Sequence, residues 1–228
     1  MSKKDNWSQD PENKTTLTLR LMANLSLRTR EKQFQIFKKL LRPNSTSKVL
    51  DVGISANEAL KDTNFFERRY SYPENLTAAS IEDCQHLKKV YPKITFKKIN
   101  VGEKFPFKND SFDVVVSWAT LEHVGERKKQ KFFLNELFRV GKKVFITTPD
   151  KACFYEPHLG LPFIHWLPDK YFRLTCRLLG KKFWADINNL NPLTKADLKR
   201  IVPKEKNVKI LRDKIFGFIP SHFIVIGK

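Results

Sequence analysis

KVLDVGIS (Lys48 to Ser55) and NDSFDVVVSWATLEHV (Asn109 to Val124) each read as a buried strand that runs into a polar, irregular turn. The first places Asp51 and Gly53 where a parallel strand ends. The second places Asp113 at the start of a strand, and Ser117, Trp118, Glu122 and His123 just past its end. In open α/β sheets, ligands bind outside the carboxyl ends of the strands. Two such ends, with sheet-like segments between them, point to a nucleotide-type ligand.

Working outward, Leu17 to Leu41 has helical spacing, with Phe34, Ile36, Phe37, Leu40 and Leu41 recurring on one side and Pro43 closing the pattern. Strands are expected at Val49–Gly53, Asn75–Ile81, Ile94–Val101, Phe112–Trp118 and Lys143–Thr148. Helices are expected at His86–Tyr91 and Glu126–Val140, the second stopped by Gly141. This βαβα alternation predicts a parallel sheet covered on both faces. Further on, Asp169 to Leu179 reads as a helix with Asp169 as N-cap and Gly180 as stop. Thr194 to Ile201 reads as a short helix with Thr194 and Asp197 at capping-box spacing. Val208–Phe216 and His222–Ile226 flank a Gly217–Pro220 turn and read as a hairpin. The expected fold is α/β: a doubly wound, mostly parallel seven-stranded sheet with a C-terminal antiparallel hairpin. Residues 1–16 read as a disordered tail, 17–43 as an N-terminal helical cap and 150–205 as a lid or substrate insertion within one domain spanning 17–228.

The 228 residues suffice for one full core. Cys84, Cys153 and Cys176 are an odd number without CxxC spacing, so neither a disulfide framework nor a metal site is expected. The N-terminus lacks the apolar core of a signal peptide, and no run approaches the roughly 20 apolar residues of a membrane span. A cytoplasmic, bacterial protein is the expectation. The net charge of +19 is uneven: residues 49–141 carry 15 Lys/Arg against 13 Asp/Glu, whereas 142–228 carry 17 against 7. Basic flanks attract anionic partners. Lys outnumbers Arg 31 to 12, however, and Arg is the residue expected for bidentate phosphate reading, so nucleic acid is not the expected partner.

A carboxylate in a buried strand is costly unless it accepts hydrogen bonds from backbone amides or a ligand, so Asp51 is a candidate ligand-binding residue. Gly53 lets the backbone turn sharply and approach a ligand. With VLDVG, SFDVVVSWATLEHV and the upstream FPF (Phe105 to Phe107), the chain resembles class I S-adenosylmethionine-dependent methyltransferases, more closely a bacterial small-molecule-type methyltransferase-domain family. The shared segments are Phe65–Glu67, Leu121–Gly125, Thr147–Pro149, Glu156–Pro168, Asn188–Leu193 and Phe223–Ile226, within about 180 residues. The resemblance implies S-adenosyl-L-methionine as cofactor. It implies Asp51 and Gly53 along the methionine end, Glu82 or Asp83 on the ribose hydroxyls, Val101 and Gly102 beside the adenine, and Ser117 and Trp118 on the sulfonium side. The chain departs from the usual GxGxG turn in reading Gly53-Ile54-Ser55-Ala56-Asn57, and Ser80 stands near the position of the expected ribose acid.

Methyl transfer needs donor and acceptor aligned, and a hydroxyl acceptor must lose a proton. His123, His158 and His165 are candidate bases, with Glu156 as orienter or second base. The expected acceptor is a small molecule or a glycan- or lipid-linked hydroxyl. Leu159 to Trp184 mixes aromatic, aliphatic and basic residues, a composition suited to peripheral contact at the inner face of a membrane. The alternative is a catalytically inactive methyltransferase-like binding or scaffold protein. The single-glycine turn favours it, and the histidine-rich segment disfavours it.

Overall fold

The computed structural model describes residues 17–58, 62–156 and 158–228. The expected tail at 1–16 lies outside them. Helix α1 (Leu17–Leu41) leads into β1 (Val49–Val52), followed by α2 (Phe65–Arg69), β2 (Leu76–Ser80), β3 (Thr95–Lys98), β4 (Val114–Trp118), α3 (Arg127–Val140) and β5 (Val144–Pro149). Then come α4 (Asp169–Leu178), α5 (Lys195–Ile201), β6 (Val208–Ile215) and β7 (Ile219–Gly227). The sheet order is β3-β2-β1-β4-β5-β7-β6. The first five strands are parallel, and β7 runs antiparallel to both of its neighbours. This is the expected seven-stranded, mostly parallel sheet with its terminal hairpin.

Alternation along the central strands builds two cores. Leu50, Val115, Val144 and Ile146 face α3 and α5, where Leu134, Leu137, Phe138 and Leu198 are buried against them. Val49, Val114, Val116 and Phe145 face the other way, onto Phe34 and Phe37 of α1 and Phe65 and Phe66 of α2. Both faces are thus apolar, as a parallel sheet requires. The capping box forms as expected: Asp197 N donates to Thr194 Oγ1 at 3.1 Å, and Thr194 N donates to Asp197 Oδ2 at 2.9 Å.

Three elements differ from expectation. The helix expected at His86–Tyr91 is a short 3-10 turn, Gln85–Lys89. Pro92 leaves no room for a second turn, and Gln85 is drawn to Phe96 O. Strand β3 is shorter than Ile94–Val101 because it is an edge strand with Thr95, Lys97 and Lys98 exposed, and Val101–Gly102 falls in the turn beyond it. Asp169 lies inside α4 rather than at its cap, where it pairs with Arg173 one turn on at 3.0 Å.

Between β5 and β6 the chain crosses the carboxyl ends of the sheet. A two-stranded ribbon (Tyr155–Glu156 with Leu161–Pro162) and α4 enclose a third small core of Leu159, Ile164, Phe172, Cys176, Ala185 and Leu190.

Candidate active site

Gly53 ends β1 at φ +107°, with its N–H donating to Ala79 O. A Cβ there would lie 2.1 Å from Thr120 Oγ1, so glycine is required both by conformation and by the close approach of the β4 turn. The rest of the turn is clamped by side chains. Ser55 N donates to Asn64 Oδ1 at 3.0 Å, and Asn64 Nδ2 donates back to Ser55 O at 2.9 Å. Ser80 Oγ donates to Ile54 O, Ala56 N donates to Glu82 Oε2, and His86 Nε2 meets Ala56 O. Asn64 and His86 were not expected at this site. Neither carries a motif, and only the folded turn shows what they hold.

Asp51 is buried beneath this turn and faces a second buried carboxyl, Glu67 of α2. Burial, then the nearby Glu67, pushes Asp51 well above the usual carboxylate range. Burial pushes Glu67 up to about 7. Two buried carboxyls in contact cannot both ionise cheaply, so the pair retains a proton near neutrality. Glu67 Oε1 has no further hydrogen-bond partner.

At the ends of β2 and β3, Glu82 is half-buried against the turn and Asp83 is exposed, accepting from Gln85 N. Val101 is exposed, and a Cβ on Gly102 would meet nothing within 4 Å. These residues follow the carboxyl ends of β2 and β3. Ser117 and Trp118 do not join them. Ser117 is fully buried and donates to Val52 O at 2.8 Å. Trp118 packs among Phe65, Phe66 and Phe145. Strand β4 extends through both residues, and the partly buried Ala119 and Thr120 follow its end.

A second polar group gathers where β4 and β5 meet the crossing segment. Glu122 is 1% exposed and accepts from Thr148 Oγ1 through Oε2 at 2.9 Å. His123 Nδ1 contacts Asn189 O at 2.6 Å, and its Nε2 faces Glu122 Oε1 at 3.8 Å. His158 Nδ1 contacts Glu156 Oε1 at 2.6 Å. The two imidazoles lie 4.8 Å apart, edge to face, and Trp184 packs against both. Burial lowers the basicity of His123. Burial acts the same way on His158, but the Glu156 carboxylate outweighs it and leaves His158 raised above its usual value. Glu156, also buried, is held below the usual carboxylate range because His158 and the Leu159 N–H outweigh desolvation. His165 stands apart from this group. It is buried, with Nε2 on Cys153 O at 2.7 Å, and it holds the ribbon rather than facing the other histidines. A separate cleft of about 240 Å³, bordered by Asn109, Asn135, Arg139 and Lys206, lies on the opposite rim, at the amino ends of the strands.

Residues 50–144 match the methyltransferase domain family. The fold is shared with a protein of Pyrococcus horikoshii OT3 (TM-score 0.56, 13% identity, covering 88% of this chain and 90% of that one). It is shared also with the N-methyltransferase NodS of Bradyrhizobium japonicum WM9 in complex with S-adenosyl-L-homocysteine (0.52, 11%, 94% and 89%). A third is a SAM-dependent methyltransferase of Thermotoga maritima, described as a possible histamine N-methyltransferase (0.51, 16%, 91% and 93%). No curated protein matches the chain significantly in sequence. The matched domain and the shared fold support a class I S-adenosylmethionine-dependent methyltransferase, with S-adenosyl-L-methionine as its cofactor. The residues present fit that cofactor. Gly102 leaves open space around it, Glu82 offers a carboxylate beside the turn after β1, and that turn is fixed in place.

Proposed function

We propose that the enzyme methylates a hydroxyl of a small-molecule or glycan- or lipid-linked acceptor, held between the β4 and β5 ends and the crossing segment 150–205. The observation that carries this reading is the Glu122, His123, His158 and Glu156 group. It is a set of proton-handling atoms, with Glu122 and Glu156 buried and the two histidines partly exposed, where the turn after β4 meets the crossing segment. S-adenosyl-L-methionine supplies an electrophilic methyl group when bound. The Gly53 turn above Asp51 would receive its methionine end, Glu82 its ribose hydroxyls, and Val101 and Gly102 its adenine. The acceptor's proton would leave through the histidine group, with Glu156 orienting His158.

The crossing segment also supports contact with an anionic membrane surface. Phe163, Trp166, Tyr171, Leu174 and Leu178 are between 46% and 77% exposed, and Lys170, Arg177 and Lys182 are exposed among them. Such a face buries its apolar side in the headgroup boundary while the cations meet anionic lipid. Among the described residues, no helix is long and apolar enough to cross a membrane.

Calorimetric titration of S-adenosyl-L-homocysteine tests the cofactor half, with micromolar-range binding expected and weakening expected in Glu82→Ala. A screen of hydroxyl acceptors, followed by mass spectrometry, tests the other half. Transfer only to amines would overturn the hydroxyl assignment. Failure to float with anionic vesicles at low salt would remove the membrane contact.

A further inference from the structure

We propose that Glu122, His123 and His158 bind a divalent transition-metal ion. One donor atom from each lies within 4.8 Å of the other two. Bonds of about 2.0–2.2 Å to a common ion would place such atoms about 3–3.5 Å apart, so a shift of about an ångström closes the set.

The case rests on how each donor is held. In each of the three side chains, one polar atom is already engaged and the other is left available as a donor. His123 Nδ1 is spent on Asn189 O at 2.6 Å, which fixes the proton there and leaves the Nε2 lone pair. His158 Nδ1 is spent on Glu156 Oε1 at 2.6 Å, which likewise leaves Nε2. Glu122 Oε2 is spent on Thr148 Oγ1, which leaves Oε1 buried without a hydrogen-bond partner. A histidine whose remote nitrogen donates to a carbonyl or carboxylate is the arrangement that orients metal ligands and raises their basicity. An unpartnered buried carboxylate oxygen is otherwise costly. His123 Nε2 does not satisfy it, since 3.8 Å is beyond hydrogen-bond reach.

Two imidazoles and one carboxylate favour zinc, iron, cobalt or manganese over magnesium or calcium, which prefer all-oxygen sets. Glu122 and Glu156 together offset a divalent charge. Three protein ligands also leave an open coordination position, the mark of a reactive rather than a purely structural site. The inference rests on the proposed function for one point only: the open position is where the acceptor hydroxyl would come, and a cation there would increase its acidity, the proton then leaving to solvent rather than to the histidines, whose Nε2 atoms the ion occupies.

The test measures metal in the purified full chain by mass spectrometry, then titrates chelator-treated protein with Zn²⁺, Mn²⁺ and Mg²⁺. The expected result is one equivalent of Zn²⁺ or Mn²⁺ bound, with no comparable Mg²⁺ binding. His158→Ala and Glu122→Gln should abolish it. Thr148→Val, which removes only the brace on Glu122, should weaken it about 10–100-fold. His165→Ala, outside the set, should bind as the parent does. Circular dichroism separates loss of binding from loss of fold, and Thr148→Val carries the test if the ligand variants unfold. Absence of stoichiometric binding by folded parent protein, or binding unaffected by Glu122→Gln and His158→Ala, overturns the site. S-adenosyl-L-homocysteine binding on the same samples keeps the two readings apart. Cofactor binding without metal binding sinks the metal site alone. Metal binding with methyl transfer to no hydroxyl acceptor sinks the proposed acceptor and leaves the site standing.

Discussion

Replacing Glu67 by Gln should stabilise the protein at alkaline pH. The Glu67 carboxyl is buried against Asp51, and its pKa rises from an ordinary 4.5 to about 7. A carboxyl that titrates higher when folded binds its proton more tightly in the native state. Its contribution is therefore fully present below pH 4.5 and is lost as pH rises through about 7. At about 1.4 kcal/mol per pH unit, that interval corresponds to about 3 kcal/mol. Asp51 is displaced in the same direction, so it extends the window upward rather than cancelling it. A glutamine keeps the shape of Glu67 and offers an amide N–H to the Asp51 carboxylate, which can then ionise at lower cost. Urea unfolding followed by circular dichroism from about pH 5 to about pH 9 reads the effect. Parent stability should fall across this range, whereas Glu67→Gln should give a much flatter profile. The variant should exceed the parent by up to about 3 kcal/mol at the alkaline end, a rise of about 6–12 °C in Tm. A parent profile without the decline, or a variant with the same slope, would refute the shared-proton account.

Three further outcomes follow from the site. Gly53→Ala should cost about 2–4 kcal/mol in chemical denaturation, because its Cβ would strike Thr120 Oγ1 at 2.1 Å on a backbone at φ +107°. Adding Thr120→Gly should relieve the clash and leave about 1 kcal/mol of backbone strain. Burial, aided by the nearby Arg30 charge, lowers His222 to about 4. NMR titration should find it neutral at pH 5, and stability should drop by up to about 3 kcal/mol as pH falls from 6.5 towards 4, a loss that His222→Asn should largely remove. Glu156→Gln should lower the His158 titration, since the Glu156 carboxylate is the largest of the groups that offset burial there. An unchanged His158 titration would break the assigned pairing.

The sheet was legible because its strands are short apolar runs bounded by turn residues, and that pattern survives without tertiary information. What escaped depends on contacts between elements. Nothing in FFERR marks Glu67 as the partner of Asp51, because the pairing exists only once α2 packs back across β1. Ser117 and Trp118 were expected on the sulfonium side at the end of the strand. They fall inside it, and alternation sends Ser117 onto Val52 O and Trp118 into the aromatic core. Glu122, His123 and His158 were visible one at a time. Their meeting is not, since 35 residues separate the histidines and the crossing segment brings them together. The same distance hid the metal-type donor set from a search for CxxC or closely spaced histidines.

The turn after β1 shows how the lone glycine is compensated. In a glycine-rich turn, missing side chains let the backbone close tightly on itself and on a ligand. Here Gly53 alone adopts the conformation that needs glycine, and Ile54 instead buries its side chain in the core. The backbone from Ile54 to Ala56 is then fixed from outside: Ser80 and Glu82 from the end of β2, His86 from the 3-10 turn, and Asn64 from the entry to α2. Ser80, near the expected position of the ribose acid, instead holds the backbone at Ile54, and the nearest carboxylate past the end of β2 is Glu82. A turn held by four side chains is preorganised as firmly as one closed by glycines. The departure that favoured an inactive scaffold thus leaves the turn held by neighbouring side chains.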